Sequence, residues 1–350
     1  MREDSREQDG DAGGSAVTAT GAGDWPGVDP LEANRAIRGE LGGVNPPFLP
    51  ALPARGPGSD ATGRTLGMLV ELPFDLQPHG WRLTQRPGKD QRRAESALSS
   101  DINALGDIAG AEERPASRLV LHLQGPLSLA AGVHLHSGER VLLDHGARRE
   151  LYASLAAGAA ELVRRVASVA RGAGILLQLD EPAAEAVLTG SIPTASGYRT
   201  LRAIDRREAT EAWDLVTDSA LAAGATGTVV APGRGDVAFE AARSSAVEAL
   251  VLELSAVSDR QWDALAEDVE GGRRLWLAIL DPGHPVPQVS SLVEPVRAAW
   301  NRVGLPVAAL SALTVTTLPG PAGRSPADAV AMLTRLVRAA DALDQLRAEG

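Results

Sequence analysis

The feature that most constrains this chain is a run of short apolar segments, each closed by Gly, Pro or a carboxylate and each followed by a helical stretch. The clearest segment is residues 174–182, GILLQLDEP. Gly opens it, residues 175–179 are apolar except for Gln178, and Asp180, Glu181 and Pro182 close it. A short apolar run bounded in this way reads as a strand buried on both faces. Eight such candidates occur, beginning near residues 17, 48, 118, 175, 227, 249, 274 and 307. Strands alternating with helices imply parallel pairing through right-handed crossovers. The expected fold is α/β: a single (β/α)8 TIM-type barrel, with a doubly wound open sheet as the alternative. Irregular insertions are expected in its first half. Residues 65–72 read as helix, 73–89 as an irregular Pro-rich insertion holding His79 and Trp81, and 118–130 as one strand.

Composition narrows the function. The 350 residues suffice for one large barrel, read here as residues 18–350 after a disordered acidic tail at 1–17. The net charge of −11 and the lack of a basic stripe argue against nucleic-acid binding. Apolar runs break far short of the roughly 20 residues that span a bilayer, and the polar start is unlike a secretory signal. The expectation is therefore a cytoplasmic protein that binds neither nucleic acid nor membrane. Cysteine is absent, which removes disulfides, thiol nucleophiles and thiolate metal sites together.

In a (β/α)8 barrel the residues just after the strands line one mouth. Here they include Asp24 and Trp25, Arg55 and Asp60, Gln124 and Ser128, and Asp180 and Glu181, followed by Glu253, Asp281 and His284. The first eight, Asp24 to Glu181, are the candidate ligand-binding residues, and the acidic balance of the mouth fits a small molecule carrying an amine or several hydrogen-bond donors. No catalytic residue is assigned. Trp25 and Trp81 are the two tryptophans placed to stack on a ligand. His134 and His136, with Glu139 and His145 nearby, form an HxH pair that has the spacing for a shared metal on a strand. Solvent-facing loop histidines explain the same pattern. His284 has Asp281 as its companion.

Five stretches carry a resemblance: TGAGDWP at 20–26, LQGPLSLA at 123–130, LLQLDEPA at 176–183, LVLELSAVSD at 250–259 and TTLPGPAG at 316–323. In this order they resemble the catalytic C-terminal barrel of the cobalamin-independent methionine synthase family, whose superfamily includes uroporphyrinogen decarboxylase. The resemblance implies a barrel that transfers a methyl group from a folate to a thiol held on zinc by His, two Cys and Glu. Of the matching positions only Glu253 keeps a ligand; Val229, Ala231 and Pro319 stand at the others. No metal and no other cofactor is therefore expected, and zinc-dependent homocysteine methylation is not, although folate as methyl donor follows from the resemblance. Asp180 matches the family's carboxylate for the substrate ammonium, Asp24 stands where a serine is expected, and Asp60 matches an acidic position. Whether the chain is an enzyme stays open between an S-methyltransferase-like protein and a pseudoenzyme that binds a metabolite or a partner protein. A decarboxylase acting on a polycarboxylate ranks below both, because Arg55 and Arg324 are the only well-placed arginines.

Overall fold

The computed structural model describes residues 16–113, 115–194 and 197–349. The chain enters the barrel through β1 (Thr18–Ala19), followed by helix α1 (Pro30–Glu40). Asp29 caps that helix by accepting from the Leu31 and Glu32 N–H groups, and Pro30 sits where a missing N–H costs nothing. Helix α2 (Ala61–Leu66), strands β2 (Phe74–Gln77) and β3 (Gly80–Leu83), and helix α3 (Lys89–Ala109) complete the first quarter. Strand β4 (Arg118–Gln124), helix α4 (Pro126–Gly132) and the long α5 (His145–Val169) lead to β5 (Gly174–Asp180). Helices α6 (Ala184–Thr189) and α7 (Arg206–Ala222) then precede β6 (Ala225–Ala231). Alternation is regular from there: α8 (Asp236–Arg243), β7 (Ala249–Glu253), α9 (Asp259–Glu270), β8 (Arg274–Leu280), α10 (Val289–Arg302), β9 (Leu313–Thr317) and α11 (Pro326–Glu349).

Seven strands form one parallel sheet in the order β1-β9-β8-β7-β6-β5-β4. The place between β4 and β1 is taken by residues 47–51. The Val120 N–H donates to the Pro47 carbonyl, and the Leu49 N–H returns a bond to Val120. On the other side the Ala51 N–H donates to Gly23 and the Trp25 N–H to Ala51. These single bridges bring the curled sheet close to a full (β/α)8 ring. The segment stays irregular because Pro46, Pro47 and Pro50 lack the N–H that a ladder needs. The core lies between sheet and helices, with Leu119, Leu121, Leu177 and Leu277 fully buried. Among the described residues no helix is long and apolar enough to cross a membrane.

Three local expectations are corrected. Residues 73–89 contain a regular antiparallel hairpin, β2 with β3, pairing Phe74 with Leu83 and Leu76 with Trp81. Phe74 and Trp81 are buried edge to face at 5.7 Å, and Arg82 pairs with Asp75 across the strands at 2.7 Å. Helix α2 starts at Ala61 rather than at residue 65, since Asp60 caps it through the Gly63 N–H at 2.9 Å. Strand β4 stops at Gln124, and Pro126 opens a helix instead. Residues 1–15 of the expected tail lie outside the described residues. Val17, however, belongs to the core: it is buried, and its N–H donates to Asp344 at 3.0 Å.

Candidate ligand site at the barrel mouth

Strand periodicity sorts the side chains before any ligand is considered. In β4 and β5 the register pairs His122 with Gln178 and Gln124 with Asp180. Paired residues in a parallel ladder share a face, and successive residues alternate. His122, Gln124, Gln178 and Asp180 therefore line one face of the sheet, while Leu121, Leu123, Leu177 and Leu179 line the other.

Asp180 is the centre of the group. Its Oδ1 accepts from the Gln178 amide at 2.7 Å, and its Oδ2 lies 3.4 Å from Nδ1 of His122. The Asp180 side chain is 30% exposed, whereas that of His122 is 8% exposed. Asp24, on the chain after β1, completes a carboxylate pair. Burial raises its pKa first and the charge of Asp180 raises it further, while His122 and Arg64 act in the opposite direction. Two glycines make this packing feasible. Gly23 has φ +88° and lies against the His122 ring, where a Cβ would come within 2.7 Å of the ring. At Gly320 a Cβ would stand 2.8 Å from the Asp24 backbone oxygen.

Positive charge reaches this end of the barrel from one side. Arg55 and Arg64 both bind the buried Asp101 of α3, Arg55 at 2.8 Å. Arg55 and Arg64 thus stand on Asp101, and Arg324 lies 3.8 Å from Asp328, while Asp24, Asp60 and Asp180 have no arginine ion pair among the described residues. Buried polar atoms without a hydrogen bond also occur at this end, namely Nε2 of His122, whose Nδ1 has only the 3.4 Å contact with Asp180, and Oε1 of Gln124. Such orphans are uncommon in folded proteins and call for an explanation. A surplus of carboxylate and unpaired hydrogen-bonding groups suits a cationic, polar ligand.

The raised pKa of Asp24 gives a stability prediction. Its folded state holds a proton more readily than its unfolded state. The associated stability is therefore full below the ordinary carboxylate range and is lost as pH rises through the raised value. Asp24→Asn is expected to raise stability at neutral pH, measured by chemical denaturation. That gain should vanish near the acid end of the titration.

The other sequence-derived candidates divide. Glu181 does not face the mouth: it is fully buried, and its carboxylate accepts from the Leu127 N–H at 2.9 Å, the Ser128 N–H at 2.7 Å and the Trp213 indole at 2.8 Å. It caps α4 from the neighbouring strand, and burial raises its pKa against the lowering effect of those bonds. Ser128 is buried too, its Oγ accepting from the Ala183 N–H at 3.0 Å. Trp25 is no stacking platform, being 1% exposed and packed on Phe48 at 6.2 Å. Trp81 is also buried and donates its indole N–H to Asp60 at 3.3 Å. Asp60 caps α2 while remaining part-exposed, and Arg55 commits its guanidinium to Asp101. Gln124 donates its backbone N–H to Thr65 at 3.0 Å and keeps its side-chain oxygen unpaired.

Sequence reading overlooked His122, Gln178, Arg64 and Asp101. For His122 the signal was present: in RLVLHLQ it is the polar residue two before Gln124, hence on the same face.

The residues at the resemblance's zinc positions do not form a zinc donor set. Val229 and Ala231 are buried and offer no donor atom, Pro319 offers none from its side chain, and Glu253 is paired with Arg234. Among the described residues no group of three or more His, Cys, Asp or Glu is arranged to hold a metal. His134 is buried, with Nδ1 3.3 Å from the Trp81 carbonyl and the His79 ring edge-on at 5.0 Å. Burial is the main cause that lowers its pKa. His145 lies 4.0 Å from Glu208. His284 and Asp281 meet at 2.9 Å on the rim of a cavity of about 700 Å³ at the ends of β7, β8 and β9, which Glu253 and Pro319 also line. This cavity is displaced from the Asp24–Asp180 pair.

Fold and site together define a (β/α)8-like protein with an acidic mouth. A B12-independent methionine synthase from Shewanella sp. W3-18-1, solved in complex with selenomethionine, is similar to it in fold. The TM-score is 0.57 at 12% identity, over 94% of this chain and 98% of that one. At that identity the likeness concerns the fold alone. The tryptophan synthase subunit alpha of Legionella pneumophila str. Paris matches more weakly, with a TM-score of 0.32 and 14% identity over 71% of this chain and 88% of that one, and carries no argument. No protein-family model matches the sequence, and a search of curated proteins gives no match.

Proposed function

We propose that this chain is a methionine-synthase-like protein whose barrel mouth binds a small molecule through a protonated amine, with Asp180 as the ammonium contact and Asp24 beside it. One observation carries the reading: at the strand ends the part-exposed Asp180 side chain meets Gln178 and His122 but no arginine, and its charge acts on the nearby Asp24. An ammonium supplies the missing charge and up to three donors. The ligand class by this reading is an amino acid of the methionine type, with a folate as methyl donor if transfer occurs. The activity then proceeds without thiolate-bound zinc, because Val229, Ala231 and Pro319 leave Glu253 without co-ligands. That same lack of donors favours a second reading, a metabolite-binding pseudoenzyme with no turnover.

Calorimetric titration of the full chain with methionine, homocysteine and methyl-folate, in the presence of a chelator, tests the binding. Metal analysis and a methyl-transfer assay test the chemistry. Binding of methionine or homocysteine that persists in chelator is the expected result. Stoichiometric zinc accompanied by homocysteine turnover would overturn the zinc-free reading.

A further inference from the structure

Aromatic residues are few in this chain and, with one exception, they are inside. Of the eleven, ten are buried, and the eleventh, Tyr198, is 93% exposed. A single exposed apolar side chain is ordinary on a protein surface. What sets Tyr198 apart is its support and its company. It lies between α6 and α7 on a short antiparallel finger, where Pro193 and Thr200 form a bridge. The Leu201 N–H donates to the Ile192 carbonyl at 2.7 Å, and the Thr194 N–H donates to the Arg199 carbonyl at 2.8 Å. At the base Leu201 and Ile204 are buried, and the Ile204 N–H donates to the Val187 carbonyl of α6 at 3.3 Å. Gly190 ends α6 at φ +68°, so close to the returning chain that a Cβ would stand 2.9 Å from the Ala203 nitrogen. The finger is thus anchored in the core while Tyr198 stands out in solvent.

The charge on the finger is opposite to that of the protein. Residues 190–207 hold four arginines and one carboxylate, in a chain of net charge −11. Arg207 pairs with Glu211 at 2.7 Å, and Asp205 caps α7 by accepting from the Arg207 N–H at 2.8 Å. Arg199, Arg202 and Arg206 are exposed and have no ion pair among the described residues. Glu240, which lines a hollow with Arg206, lies instead within 3.7 Å of Arg243 and 3.5 Å of Arg260. Tyrosine and arginine are the side chains that most often dominate protein interfaces, and a presentation fixed by hydrogen bonds lowers the ordering cost of binding. We infer that this finger is a docking surface for an acidic segment of a partner protein, with Tyr198 as its apolar anchor and Arg199, Arg202 and Arg206 as its charge contacts. A nucleic acid fits less well, because a long polyanion would meet the negative charge of the rest of the molecule. The inference does not depend on what the barrel mouth binds.

The probe is a short fluorescein-labelled peptide of glutamates around one central phenylalanine, titrated with the full chain and followed by fluorescence anisotropy. The glutamate peptide is expected to bind, and its lysine counterpart is not. Tyr198→Ala should weaken binding about tenfold, and Tyr198→Phe should keep it. Arg199→Glu combined with Arg202→Glu should weaken it about a hundredfold. Arg92→Glu combined with Arg93→Glu, on exposed positions of α3, makes the same change in net charge and should leave binding as it was. All of these are surface changes, and unaltered thermal unfolding confirms that each variant is folded. No binding of the glutamate peptide, binding indifferent to Tyr198→Ala, or equal loss in the α3 pair would overturn the inference. A single-stranded oligothymidylate, which offers phosphates and stacking bases, distinguishes the other class of partner: if it binds more tightly than the peptide and through the same residues, the acidic protein segment is the wrong occupant.

Discussion

Glu181→Ala is expected to destabilise the fold by about 3–5 kcal/mol, the largest stability effect of any single change at this end of the barrel. The reason is the number of donors it would abandon. The Leu127 and Ser128 N–H groups belong to the first turn of α4, where no intrahelical acceptor exists. The Trp213 indole N–H comes from α7, and Trp213 is fully buried. One carboxylate therefore ties the end of β5 to two helices, and alanine would leave three buried donors without partners. Glu181→Gln should fall between the two, because an amide offers one acceptor oxygen and turns an NH2 group toward N–H donors. Gly125→Ala approaches the same carboxylate from the other side: its Cβ would stand 2.4 Å from the carboxyl carbon of Glu181. Denaturant unfolding of the three variants checks this. A Glu181→Ala protein as stable as the parent would remove Glu181 from its capping role.

Asp180→Asn should do the reverse, leaving stability nearly untouched while weakening ligand binding about a hundredfold. The amide keeps an oxygen for the Gln178 bond seen at 2.7 Å, so the local packing survives. What disappears is the charge facing the ligand, and losing one member of a desolvated charge pair costs about 2–5 kcal/mol of binding. Calorimetry with methionine measures the affinity, and thermal unfolding confirms that the variant is folded. Undiminished affinity would place the ammonium elsewhere.

These two neighbours show how far the sequence could be read. The motif DEP was legible as a strand end, and from it both carboxylates were expected at the mouth. Strand alternation separates them: Asp180 continues the face of Gln178, while Glu181 turns outward to α4. The same period-two rule points to His122, hidden in an otherwise apolar run. The strands themselves were legible because their apolar runs end in Gly, Pro or carboxylates, and the strand at residues 47–51 is weak for a reason also visible in sequence, its prolines. Asp101 was not legible. It lies in the middle of α3, and nothing local marks it as the anchor of Arg55 and Arg64, since that role exists only after distant segments pack. Trp25 misled for a related reason, because a tryptophan beside a polar strand end looks alike whether it stacks on a ligand or, as here, on Phe48.

The most direct measurement is a crystal of the full chain soaked with L-selenomethionine, in which the anomalous signal of selenium locates the ligand directly. The account predicts a selenium peak within the mouth, with the ligand ammonium on Asp180 and next to Asp24. Selenium found instead in the cavity beside Glu253 and His284, with the ammonium away from Asp180, would contradict it.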